Sequence, residues 1–142
     1  MRHTLLIAEG DAELCDVYRR FLAARGFTVE TATNGLDCLE KLRRVKPTAL
    51  VLDHNLHWGG GDGVLAWLRE QDAPPDVPVV LTTNAAYQPQ DADATRPPVV
   101  KFLPKPFPLT ALLESVGAAI SNWGIEKPPA RKNSTCTEMF YG

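Results

Sequence analysis

The stretch Ala49-Leu50-Val51-Leu52-Asp53-His54-Asn55-Leu56 decides the reading of this chain. Four consecutive apolar residues suit a strand covered on both faces, as strands of parallel sheets are. The run closes on the carboxylate of Asp53. A polar, glycine-rich loop follows, His57-Trp58-Gly59-Gly60-Gly61-Asp62-Gly63. In an open α/β sheet, ligands and chemistry collect outside the carboxyl ends of the strands, and Asp53 stands at such an end. Two later apolar runs finish the same way: Val79-Val80-Leu81 in Thr82, and Val99 to Leu103 just before Lys105. Three strand ends would then present a carboxylate, a hydroxyl and an ammonium.

Working outward, short apolar runs alternate with amphipathic stretches. Leu5 to Ala8 reads as a first strand. Asp11 is placed to cap the next segment, where Leu14, Val17, Tyr18, Phe21 and Leu22 recur at helical spacing. Gly26 ends that helix as a left-handed terminal residue. Phe27 to Thr31 reads as a second strand. Asn34-Gly35 signals a turn, Leu36, Leu39, Leu42 and Val45 form a helical stripe, and Pro47 stops it. After the strand ending at Asp53, Asp62 is expected to cap a third helix carrying Val64, Leu65, Trp67 and Leu68. Pro74-Pro75 breaks the chain, and Val77 to Thr82 and Val99 to Leu103 read as the fourth and fifth strands. Leu109, Leu112, Leu113, Val116 and Ile120 line a last helix. Short links between alternating strands and helices imply right-handed parallel crossovers, hence a five-stranded parallel, doubly wound α/β sheet. Between Thr82 and Val99 the prolines Pro89, Pro97 and Pro98 argue against a long helix, so an irregular or shortened fourth helix is expected there. The domain is expected to cover residues 4–122. Residues 123–142, with no apolar period, read as a flexible C-terminal tail on which Trp123 packs back and Met139-Phe140-Tyr141 is a candidate docking peptide.

Composition limits the function. The 142 residues suffice for one domain with a full core, and 44% hydrophobic with 23% charged residues excludes a disordered chain. The net charge is 15 − 17 = −2, without a long basic run, which argues against nucleic acid as a partner. No apolar stretch approaches the ~20 residues of a membrane span, and the apolar start is too short for a signal peptide, so a cytoplasmic protein without a membrane partner is expected. Cys15, Cys38 and Cys136 are odd in number and form no Cys-x-x-Cys pair, which suits reduced thiols.

A carboxylate can take up a phosphoryl group as an acyl phosphate. The charge on the phosphoryl oxygens must then be neutralised, usually by a divalent metal and a lysine, with a hydroxyl or amide completing the cradle. Acidic residues at the end of the first strand could hold the metal, and Glu9-Gly10-Asp11 lies there. Taken singly, these residues have plain structural readings. Asp53 could be a turn residue, Lys105 a solvated lysine, Thr82 a β-branched strand end, Phe102 a core residue and Glu9 a polar strand end. Carboxylate, hydroxyl and lysine on neighbouring strand ends favour a site. His54 and His57 lack a third zinc ligand and read as polar contacts. The triple glycine lacks the lysine and Ser/Thr of a nucleotide P-loop.

These features together resemble the receiver domain of two-component response regulators, a flavodoxin-like fold. The resemblance rests on Leu5-Leu6-Ile7-Ala8-Glu9-Gly10-Asp11, Leu52-Asp53-His54-Asn55-Leu56, Asp62-Gly63, Leu81-Thr82-Thr83 and Phe102-Leu103-Pro104-Lys105-Pro106-Phe107, in this order, over about residues 4 to 122. It implies that Asp53 is the phosphoacceptor, that Lys105 contacts the phosphoryl group, and that the bond before Pro106 is cis. Thr82 would be the switch hydroxyl and Phe102 the switch aromatic. Glu9 would be the first of an acidic pair and Asn55 the residue offering its carbonyl to Mg²⁺. The chain departs from the family at Gly10, where a second metal-binding acid is usual. Mg²⁺ is therefore expected to bind weakly, through Glu9, Asp53 and the Asn55 carbonyl, with Asp11 acting as a helix cap. The loop after Asp53 also departs, carrying two extra residues that place His57 and Trp58 over the pocket.

The reading is a stand-alone receiver, not an enzyme beyond catalysing its own phosphorylation and dephosphorylation. A sensor histidine kinase or phosphotransfer protein would donate to Asp53, and the surface formed by residues 84–120 would contact a downstream protein. The alternative is a degenerate receiver working as a phosphorylation-independent interaction module, which Gly10 favours. A small metal-dependent phosphatase is a third class; it needs a second carboxylate close after the nucleophile, where Asn55 stands.

Overall fold

A computed structural model describes residues 3–57, 60–70, 76–84 and 97–126. The strands are β1 (Thr4–Ala8), β2 (Thr28–Ala32), β3 (Ala49–Asp53), β4 (Val79–Thr83) and β5 (Val99–Pro104). They form one sheet in the order β2-β1-β3-β4-β5, and every neighbouring pair is parallel. The helices among the described residues are α1 (Ala12–Ala23), α2 (Gly35–Val45), α3 (Gly60–Glu70) and α4 (Leu109–Glu126). This is the expected five-stranded, doubly wound, flavodoxin-like fold. The expected irregularity of the fourth crossover falls on residues 85–96, outside the described residues, as do Trp58, the Pro74-Pro75 break and the tail 127–142 with Cys136 and Met139-Phe140-Tyr141.

Alternation along the central strands divides the interior into two cores, because successive side chains point to opposite faces. Leu6, Leu50, Leu52, Val79 and Leu81 face Cys38 and Leu42 of α2 and Val64, Leu65 and Leu68 of α3. Leu5, Ile7, Ala49, Val51 and Val80 face Tyr18 and Leu22 of α1 and Leu112 and Val116 of α4. β3 and β4 are buried along their whole length, as the unbroken apolar runs require.

Capping fixes where the helices begin. Asp11 caps α1 as expected, its Oδ1 accepting from the amides of Glu13 (3.0 Å) and Leu14 (3.1 Å). Asn34, expected only in a turn, is the N-cap of α2 and accepts from the Asp37 amide at 2.8 Å. Asp62, expected as the cap of α3, instead lies in its first turn, because the helix already begins at Gly60. There it meets His54 Nε2 at 3.3 Å. α4 continues past the domain boundary expected at residue 122, to Glu126. Trp123 is buried on it and donates from Nε1 to Asp76 Oδ1, as the expected packing back of this residue requires.

Candidate functional site

The register of the strands brings the candidate residues to one edge. Asp53 pairs with Thr82, and Thr82 with Leu103, so the ends of β3, β4 and β5 are level and the loop after β5 presents Lys105. β1 ends beside β3, with Ala8 opposite Leu52, which sets Glu9 next to the same point. The strand order turns between β1 and β3, and open sheets of this kind bind ligands at such a switch point.

Glu9, Asp53 and Thr82 are only 2%, 4% and 1% exposed, so their polar groups need partners inside the fold. Lys105 supplies the chief one. Its Nζ lies 2.8 Å from Glu9 Oε1 and 3.6 Å from Asp53 Oδ1. Glu9 Oε2 accepts from the Asp11 amide at 3.0 Å. Asp53 Oδ1 accepts from the Asn55 amide at 3.0 Å, and Oδ2 from the Gly10 amide at 3.5 Å. The Thr82 hydroxyl donates to the Leu52 carbonyl at 3.5 Å, so it is turned along the sheet. Lys105 is held by its backbone as well, its amide donating to the Thr83 carbonyl at 2.7 Å, and the Lys105–Pro106 bond is cis.

Burial pushes the Glu9 carboxyl above its ordinary value, and the charge of Asp53 pushes the same way; Lys105 and the Asp11 amide oppose both. Tyr18 is raised too, by burial first and then by Glu9, Asp53 and Asp11, which places its phenol within the field of the pocket. Its ring stacks on Phe107 with centroids 5.5 Å apart, tying α1 to the loop that carries Lys105. Burial lifts the thiols of Cys15 and Cys38 to about 11 and about 12, so both are inert, and both are free.

Phe102 is half-buried and packs against the core on the α2 and α3 side. In the loop after Asp53, the close neighbour of Gly61 is backbone: an added Cβ would lie 2.8 Å from His54 Cα and 2.9 Å from the Asp53 carbonyl. Gly61 therefore lets the start of α3 sit directly on the end of β3.

Whether these residues suit Mg²⁺ is a question of donors. The ion prefers octahedral oxygen coordination with one or two free carboxylates. Glu9 is already committed to Lys105 and to an amide, Asp53 accepts at both oxygens, Asp11 is a helix cap, and Gly10 offers nothing. Two carboxylates and one ammonium leave a single net negative charge. Among the described residues, no group of three or more His, Cys, Asp or Glu side chains is arranged to hold a metal. The donor set does not fit a tightly held Mg²⁺.

The model of the response regulator receiver domain family matches residues 5–117. The chain belongs to this family. Relatives include the response regulator MprA of Mycobacterium leprae, 30% identical over 116 residues, covering 82% of this chain and 50% of the relative. MprA of Mycobacterium ulcerans is 29% identical over 133 residues, covering 94% and 56%. The chain thus spans about half the length of these curated relatives. Among solved structures, a CheY-like response regulator receiver domain protein from Methanospirillum hungatei superposes with a TM-score of 0.77 at 18% identity, covering 87% of this chain and 98% of that one. The receiver domain of a Francisella response regulator gives 0.77 at 18% identity, covering 85% and 98%. Receiver domains are signalling modules that typically bind Mg²⁺ at the phosphorylation site and interact with histidine kinases or phosphotransfer proteins. No described helix is long and apolar enough to cross a membrane.

Sequence reasoning missed Tyr18 as a neighbour of the site, since it read as part of the apolar stripe of α1, and gave Phe107 no role beyond its place in the motif around Lys105. It also missed the Glu9–Lys105 pair, whose partners are 96 residues apart.

Proposed function

We propose that this receiver accepts a phosphoryl group on Asp53 from a phosphohistidine of a sensor kinase or phosphotransfer protein, in the cytoplasm, and signals through protein contacts. The observation that carries the reading is the ammonium of Lys105 at 3.6 Å from Asp53 Oδ1, at the shared edge of β3, β4 and β5. A carboxylate oxygen of Asp53 attacks phosphorus; the new P–O bond forms as the P–N bond breaks, and the departing imidazole nitrogen takes up a proton. Lys105 can shift from Glu9 and Asp53 onto the phosphoryl oxygens, and backbone amides at the pocket mouth add further donors. Water attacking phosphorus later restores the carboxylate. Mg²⁺ plays a minor part in this reading, held weakly by Glu9, Asp53 and the Asn55 carbonyl. Thr82 would rotate from the Leu52 carbonyl toward the phosphoryl group, and Phe102 would repack in response. The surface formed by residues 84–120 would then change its affinity for a downstream protein.

A second reading has two observations in its favour. Lys105 lies closer to Glu9 (2.8 Å) than to Asp53 (3.6 Å), and Gly10 removes an acid. A degenerate receiver, working as a phosphorylation-independent interaction module, would keep such a closed pocket. Intact mass after incubation with acetyl phosphate, with and without Mg²⁺, separates the two. A gain of one phosphoryl group, abolished by Asp53→Ala, is the expected result. No gain at high donor and metal would leave the degenerate module standing.

A further inference from the structure

The mismatch between this pocket and a metal has a second partner besides Gly10. Gly10 is not demanded by its backbone: the glycines at positive φ among the described residues are Gly26 and Gly60. Nor is it demanded by crowding. A Cβ built on Gly10 meets nothing nearer than Asp53 Oδ2 and His57 Cδ2, both at 3.9 Å, and the Thr33 carbonyl at 4.0 Å. A side chain at residue 10 would therefore emerge between the phosphoacceptor carboxylate and an imidazole. A carboxylate reaches about 2.4 Å beyond its Cβ, so an acid there would enter the space beside Asp53 that the His57 ring borders.

The backbone of His57 is held in that place. Its carbonyl accepts from the Gly35 amide at the start of α2 at 2.8 Å. Before it, Leu56 is buried and its amide donates to the Asp53 carbonyl at 3.3 Å. The backbone is thus fastened on both sides, to β3 and to α2, and the ring projects from a fixed point.

We propose that His57 borders the space an acid at residue 10 would occupy and weakens divalent-cation binding in the Asp53 pocket, which makes it a specificity-determining residue. Hydrated Mg²⁺ keeps several waters around it and needs oxygen donors on one side; an imidazole bordering that volume takes the room of the waters and is a poor donor for this ion. Lys105 provides the positive charge the two carboxylates need, so the pocket is stable without the cation. The inference stands whether or not Asp53 accepts a phosphoryl group.

The test is a double-mutant cycle read as Mg²⁺ affinity by isothermal titration with MgCl2, with Mn²⁺ binding by electron paramagnetic resonance as a second readout. His57 is exposed and Gly10 accepts a Cβ without a clash, so the variants should fold. Gly10→Asp alone is expected to stay within about threefold of the parent, whereas Gly10→Asp with His57→Ala binds at least about tenfold tighter than either single variant. Gly10→Asn, without a second charge beside Asp53, runs the same cycle should Gly10→Asp fail to fold. A full gain from the residue 10 change alone overturns the proposal, as does a double variant with no gain. Weaker Mn²⁺ binding by His57→Ala would make His57 a ligand and overturn it too.

Discussion

Burying Glu9 beside Asp53 strips hydration from its charge, and Lys105 offsets only part of that cost. The net result is a carboxyl held above its ordinary value of 4.5, chiefly by burial. The folded protein therefore binds this proton more tightly than the unfolded chain does. Below the unfolded value the contribution to stability is full; it is lost as pH rises through the higher folded value. Glutamine has the same shape and no such loss. The stability of Glu9→Gln relative to the parent should accordingly rise from about pH 4 to about pH 7, measured by urea unfolding at both. A flat or falling difference would mean that Lys105 outweighs burial. At this scale the sequence was partly legible. Asp53, Thr82 and Lys105 could be found because each ends or follows an apolar run. The preference of Lys105 for Glu9 could not, because it depends on where a long side chain settles between two carboxylates on different strands.

At the scale of elements, the decisive contact is the seat of α3 on the end of β3. The Gly61 amide donates to the His54 carbonyl at 3.0 Å, and the two backbones touch where a Cβ would stand. Gly61→Ala must push α3 away or bend the Asp53–His54 segment. Overpacking of this kind costs about 1–3 kcal/mol, which chemical denaturation would read as a lower midpoint at unchanged slope. Gly10→Ala, with nothing nearer than 3.9 Å, is the matched control and should be close to neutral. An equal loss in both variants would refute the contrast. Two helix starts, those of α3 and α2, were misread for related reasons. Asp62 has the chemistry of a cap, but Gly60 at φ +66 turns the chain two residues earlier, and α3 starts there. Asn34-Gly35 has the composition of a turn, yet the Asn34 side chain accepts from the Asp37 amide, so it starts a helix. Composition gives the type of residue; the register of a cap depends on which amide it reaches.

For the whole molecule, one sheet separates two cores, and among the described residues α2 and α3 cover one face and α1 and α4 the other. Leu50 lies on the α2 and α3 side and Leu5 on the α1 and α4 side, both fully buried. The strand order made this division legible only in part. Unbroken apolar runs announce strands covered on both faces, but they do not say which helix covers which face. The two cores share their backbone: β1 and β3 are hydrogen-bonded neighbours in the middle of the sheet, and each sends alternate side chains both ways. Neither face can melt without exposing those strands, so the domain should unfold as one unit. Leu50→Ala and Leu5→Ala should each cost about 2–5 kcal/mol, with far-UV circular dichroism and tryptophan fluorescence giving coincident transitions in both variants. Trp67 packs against the first core, whereas Trp123 near the end of α4 is buried and bonded to Asp76. The two indoles thus report from different parts of the fold. Fluorescence that changed ahead of circular dichroism in one variant alone would show that the faces are separable. The site at the shared strand ends would then rest on one core rather than on both.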